Sequence, residues 1–133
     1  MFRLVKILNG RINQGEPVRL PTKAGENYSY GEALVLSGGA LTKCGATTKP
    51  THICCEDYNA PPSDNRDIVA EPVSADMIFE VEFSEDPTDV TVGVKVTLSD
   101  GVKITKTTSS GVATIFDMCG ATAQGDKCLV QFK

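Results

Sequence analysis

A chain of 133 residues, 41% hydrophobic and 23% charged, can build one domain with a sizeable core. No run approaches the ~20 apolar residues of a membrane helix. A net charge of −4, with no basic cluster interleaved with aromatics, makes nucleic acid a poor partner.

Residues 2–8 (Phe-Arg-Leu-Val-Lys-Ile-Leu) read as a short strand; charges interrupt the apolar run, which therefore lacks the features of a signal peptide. Synthesis in the cytoplasm is the default expectation. The stretch to residue 30 is broken by Gly10, Gly15, Pro17, Pro21 and Gly25, so it predicts an extended arm and not a helix. Residues 31–36 and 40–44 flank Ser37-Gly38-Gly39 and predict a hairpin, because two glycines supply the positive φ angles of a tight turn. Residues 51–55 form the next strand. Residues 56–67 contain Pro61-Pro62 and predict the longest plain loop.

From residue 77 onward the pattern is more regular. Phe79, Val81 and Phe83 alternate with Glu80 and Glu82, the period of a half-buried strand. Val92, Val94, Val96 and Leu98 are expected on one face, before a turn at Asp100-Gly101 and a return strand over 102–105. Residues 112–116 read as a strand or a short helix. The chain closes with Cys128, Val130 and Phe132 inward and Lys127, Leu129, Gln131 and Lys133 outward. The sum is a mainly β fold, a small barrel or sandwich of seven to nine short strands with an extended N-terminal arm. It is a single domain overall, with a strand and arm over 1–30 and a β domain over 31–133.

Charge is unevenly distributed. Residues 1–30 carry +3, and residues 55–90 carry −10 with Arg66 as the one base. A basic segment that meets an acidic surface on a neighbour is one reading, and an ordinary solvated acidic face is the other.

Chemistry is sparse. Five cysteines, an odd number without zinc-ligand spacing, predict reduced thiols and no metal. The single histidine, His52, shares a strand face with Cys54, the minimum for a thiol nucleophile and its base. No Gly-x-Ser-x-Gly, phosphate loop, dinucleotide motif or EF-hand loop is present. The expectation is a protein that binds or assembles, that is not an enzyme and that needs no cofactor.

Residues 30–43, followed by Thr48-Lys49-Pro50-Thr51, resemble the first half of small head decoration proteins of tailed bacteriophages. Val92-Gly93-Val94-Lys95-Val96, Asp100-Gly101, Gly111 and residues 125–130 resemble the second half. The resemblance spans most of residues 28–133 and consists of turn-and-strand patterns. It implies a compact β domain with a flexible N-terminal arm, frequently trimeric, that sits on the capsid exterior and cements it. The implied partners are the major capsid protein and further copies of the chain, with no nucleic acid and no membrane. The contact residues expected for the arm are Phe2, Arg3, Leu4, Val5, Lys6, Ile7, Arg11 and Arg19, chosen for charge and apolarity. The alternative for residues 2–8 is that they complete the domain's own sheet. The alternative functions are a tail or fibre module and, behind it, a small cysteine-dependent enzyme.

Overall fold

The Ser37-Gly38-Gly39 signal is realised as a two-residue turn. In the computed structural model, which describes residues 1–8, 16–63 and 66–133, Gly38 has φ 60° and Gly39 has φ 83°. This turn joins β4 (Ala33–Ser37) to β5 (Ala40–Lys43), with Leu36 opposite Leu41. Positive φ at both central residues matches the twist of the flanking strands, which explains the paired glycines.

The hairpin belongs to a five-stranded antiparallel sheet in the order β2-β8-β6-β4-β5. Its other members are β2 (Val18–Pro21), β6 (His52–Cys54) and β8 (Asp67–Pro72). A second five-stranded sheet runs β1-β9-β14-β13-β10. It contains β1 (Arg3–Ile7), β9 (Met77–Glu82), β10 (Lys95–Val96), β13 (Ala113–Asp117) and β14 (Lys127–Gln131). Two short ribbons complete the fold: β3 (Asn27–Tyr28) with β7 (Tyr58–Asn59), and β11 (Leu98–Ser99) with β12 (Lys103–Ile104). Of these fourteen strands five are two-residue pieces, which leaves nine of three or more residues. No α-helix occurs among the described residues, and residues 113–117 are a strand.

The two sheets pack as a sandwich. Period-two alternation sends Met77, Phe79 and Val81 of β9 inward, together with Phe83, Ile115, Cys128, Val130 and Phe132. The facing sheet contributes Ala33 and Ile53, which stand opposite each other across β4 and β6. Leu34 and Cys54, one position along, point to the other face and join a second cluster with Tyr28, Leu41, Ile68 and Ala70. The sheet curls around this cluster until its two edges touch at a bridge between Thr22 and Leu41. That is one point of contact and not a closed barrel. Tyr28 plugs the curl; its hydroxyl donates to the Leu41 carbonyl at 2.8 Å and accepts from the Lys23 N–H at 2.9 Å. Burial pushes this phenol up to about 12.

Several expectations change here. Residues 2–8 form a strand of the domain's own sheet. Residues 16–30 also contain strands, β2 and β3, in place of a continuous arm; Pro21 fits because β2 is an edge strand. The loop at 56–67 holds β7 and is pinned by Glu56, which accepts from Arg66 at 2.9 Å and from the Val69 N–H at 2.8 Å. Val92 does not share the inward face of Val96 and Leu98: it is 62% exposed, because Gly93 (φ 88°) turns the chain before β10 starts. Gln131 is buried and not outward, with its amide donating to the Ala75 carbonyl at 3.1 Å.

Candidate interaction surface

β1 brings most of the sequence-selected contact residues onto one sheet edge. Arg3 pairs across to Glu80 and Leu4 to Phe79, and a bulge between Leu4 and Lys6 shifts the register. Phe2, immediately before the strand, is 2% exposed, and its ring lies 5.3 Å from that of Phe132, which in turn lies 5.6 Å from that of Phe79. Phe2 therefore belongs to the core. Leu4 and Ile7 are half-buried against the same core. Arg3, Val5 and Lys6 remain at the surface, as does Arg19 on β2 of the other sheet. Arg11 lies outside the described residues. The seven described residues are thus divided: one in the core, two at its margin, three displayed on β1 and one on a different sheet.

An exposed edge strand invites pairing with another strand. β1 is blunted by two cations, Arg3 and Lys6, and by its bulge, features that discourage strand addition. What this edge presents to solvent is chiefly the side chains of Arg3, Val5 and Lys6.

The acidic character of β9 is less than its sequence suggests. Glu80 is held by Arg3 at 3.1 Å and Lys127 at 3.3 Å, and Glu82 by Lys103 at 3.5 Å. Three elements of the chain, β1, β14 and β12, thus neutralise one face of β9. Among the described residues Lys6 and Arg19 make no ion pair, which leaves them as uncompensated cations.

Two hollows flank Arg3. One, of about 180 Å³, is lined by Met1, Arg3, Glu80, Glu82 and Lys127. The other, of about 200 Å³, lies where β1 runs past β6 and β8; Leu4, Tyr30, Ile53, Cys55 and Glu71 line it. Burial raises the Glu71 carboxyl and the Cys55 thiol above their ordinary values. Sequence reasoning missed this cleft, because residues 67–72 carry no clean alternation and were not assigned to a strand.

The thiol–histidine pair is not set up for nucleophilic chemistry. The Cys54 thiol donates to the Glu56 carbonyl at 3.0 Å, and burial pushes it up to about 11. An attacking thiolate needs a shift in the other direction. His52 Nδ1 lies 2.9 Å from the Thr51 hydroxyl, and burial lowers its pKa. Burial likewise pushes Cys44 and Cys128 up to about 12. No group of three or more His, Cys, Asp or Glu side chains that could hold a metal ion forms among the described residues.

No protein-family model matches the chain, and no curated protein is similar to it in sequence. Its fold is similar to the crystal structure of the N base of head fiber gp8.5 in bacteriophage phi29, with a TM-score of 0.57 and 15% identity. That likeness covers 88% of this chain and 94% of the other.

Proposed function

We propose that this chain is a structural component of a phage virion that binds the outside of the capsid and stabilises the shell as a decoration protein. The observation that carries the reading is the end-to-end likeness in fold to the N base of a phage head fiber, at 88% of one chain and 94% of the other. The turn-and-strand resemblance of residues 28–133 to head decoration proteins supports it independently. A second reading, the base of a longer head fibre, is favoured by the same structural neighbour.

In this proposal the partner is the major capsid protein, and the contact runs through side chains displayed at the β1 edge, chiefly Arg3, Val5 and Lys6, with Arg19 and Arg11 as further basic contacts. The phage-exterior location and a homotrimer follow from the decoration reading. A small interface binds weakly, and three copies acting together convert weak contacts into stable attachment. The test is co-sedimentation of the purified protein with phage heads that lack it, followed by cryo-microscopy of the decorated heads. Density on the outer shell at regular lattice positions supports decoration; density only at fibre bases supports the second reading. Failure to sediment with heads refutes both.

A further inference from the structure

We infer that the cleft between β1 and the β6–β8 strands is a receptor for a single basic side chain, an arginine above all, presented by a protein partner. Glu71 and Arg3 are the charged side chains that line the cleft. Arg3 turns its guanidinium onto Glu80 on the outer face at 3.1 Å. Glu71 makes no hydrogen bond or ion pair through its carboxylate among the described residues, although it is half-buried. A partly desolvated carboxylate without a partner is costly, and a cation placed beside it recovers the lost solvation.

The rest of the cleft suits a guanidinium. Tyr30 is 54% exposed at one end, so its ring is free to stack on a planar cation. Asp57 accepts the Tyr30 N–H at 2.8 Å and so holds the backbone that presents this ring. Leu4 and Ile53 supply an apolar wall for the methylene stem. A volume near 200 Å³ accommodates one long side chain and little more. The blunted β1 edge complements this arrangement, since it discourages an added strand and favours side-chain insertion.

The identity of the partner as a capsid protein rests on the proposed virion role, but the recognition chemistry does not. It is tested on the whole chain by NMR titration with N-acetyl-arginine amide, with the lysine and glutamate amides alongside. The expected result is saturable shifts confined to residues 30–31, 53–55 and 71 with the arginine probe, weaker ones with lysine and none with glutamate. Glu71→Gln should weaken arginine binding about tenfold, the effect of losing one charge-assisted contact. Tyr30→Ala, at an exposed position, should weaken it about threefold and decides the matter if Glu71→Gln does not fold. Shifts scattered over the acidic surface, no saturation, or binding unchanged in these variants overturn the inference. A failed titration leaves the head-binding result standing, and failed head binding leaves the cleft chemistry standing.

Discussion

Phe2 decides whether the N-terminus is part of the domain, and Phe2→Ala measures it. The side chain is 2% exposed and sits against Phe132, so truncation removes a full aromatic ring from the layer between the sheets. Loss of transfer free energy plus the cavity costs about 3–5 kcal/mol, including about 0.5–1.5 kcal/mol from the aromatic pair. A domain of this length has a total stability of about 7–20 kcal/mol, so the variant should fold, but with a much reduced margin. The corresponding drop in melting temperature is about 10–18 °C. Urea unfolding followed by circular dichroism should show a lower midpoint at an unchanged slope. Val5→Ala is the control: Val5 is 41% exposed at the bulge and should stay within about 0.5 kcal/mol of the parent. A Phe2→Ala loss below about 1 kcal/mol would refute the docking of β1 and restore a free N-terminal arm.

The glycine at 111 should be intolerant for a different reason: a Cβ there would lie 2.4 Å from the Lys95 carbonyl group, which is backbone and cannot swing away. Gly111→Ala should therefore cost about 3 kcal/mol in a denaturation experiment. Glu32 is 1% exposed and is held by Lys43 at 2.9 Å and the Ser29 N–H at 2.9 Å; Glu32→Ala should cost about 2–3 kcal/mol, whereas Arg3→Ala, at an exposed pair, should cost less than about 1 kcal/mol. For Glu26, burial acts to raise the carboxyl pKa, but hydrogen bonds from Thr42, Lys23 and the Lys43 N–H outweigh it and leave it below the ordinary 4.5. Its contribution is complete above pH 4.5 and is lost as the pH falls through the lower folded value, so Glu26→Gln should show a shallower loss of stability on acidification. Alkylation followed by mass spectrometry should label Cys119 first in the native protein, since it is exposed, and Cys44, Cys54 and Cys128 only after unfolding; rapid native labelling of Cys54 would reopen the enzyme reading.

Local patterns carried the strands whose two faces differ. Phe79, Val81 and Phe83 against Glu80 and Glu82, and Cys128, Val130 and Phe132 at the end of the chain, announce their buried faces by alternation alone, and Gly38-Gly39 and Asp100-Gly101 announce their turns by the φ angles they adopt. The mainly β sandwich was legible for that reason. β2 and β8 were not, because the curled sheet is lined on both faces and Pro21 and Pro72 blur period two; β3 and β7, a separate ribbon of two residues each, are too short to show a period.

The candidate surface divides the same way. Sequence alone identified a basic and apolar N-terminus facing an acidic middle, since composition is visible without coordinates. Only tertiary structure decided that Phe2 is withdrawn into the core, that Arg3 is engaged by Glu80, and that Glu71, which lines one cleft with Tyr30, has no partner for its carboxylate among the described residues. These are consequences of strands far apart in sequence meeting across two sheets. A single chain of letters records which groups are present and leaves open which charges find each other, because pairing depends on register and on the packing of one sheet against the other.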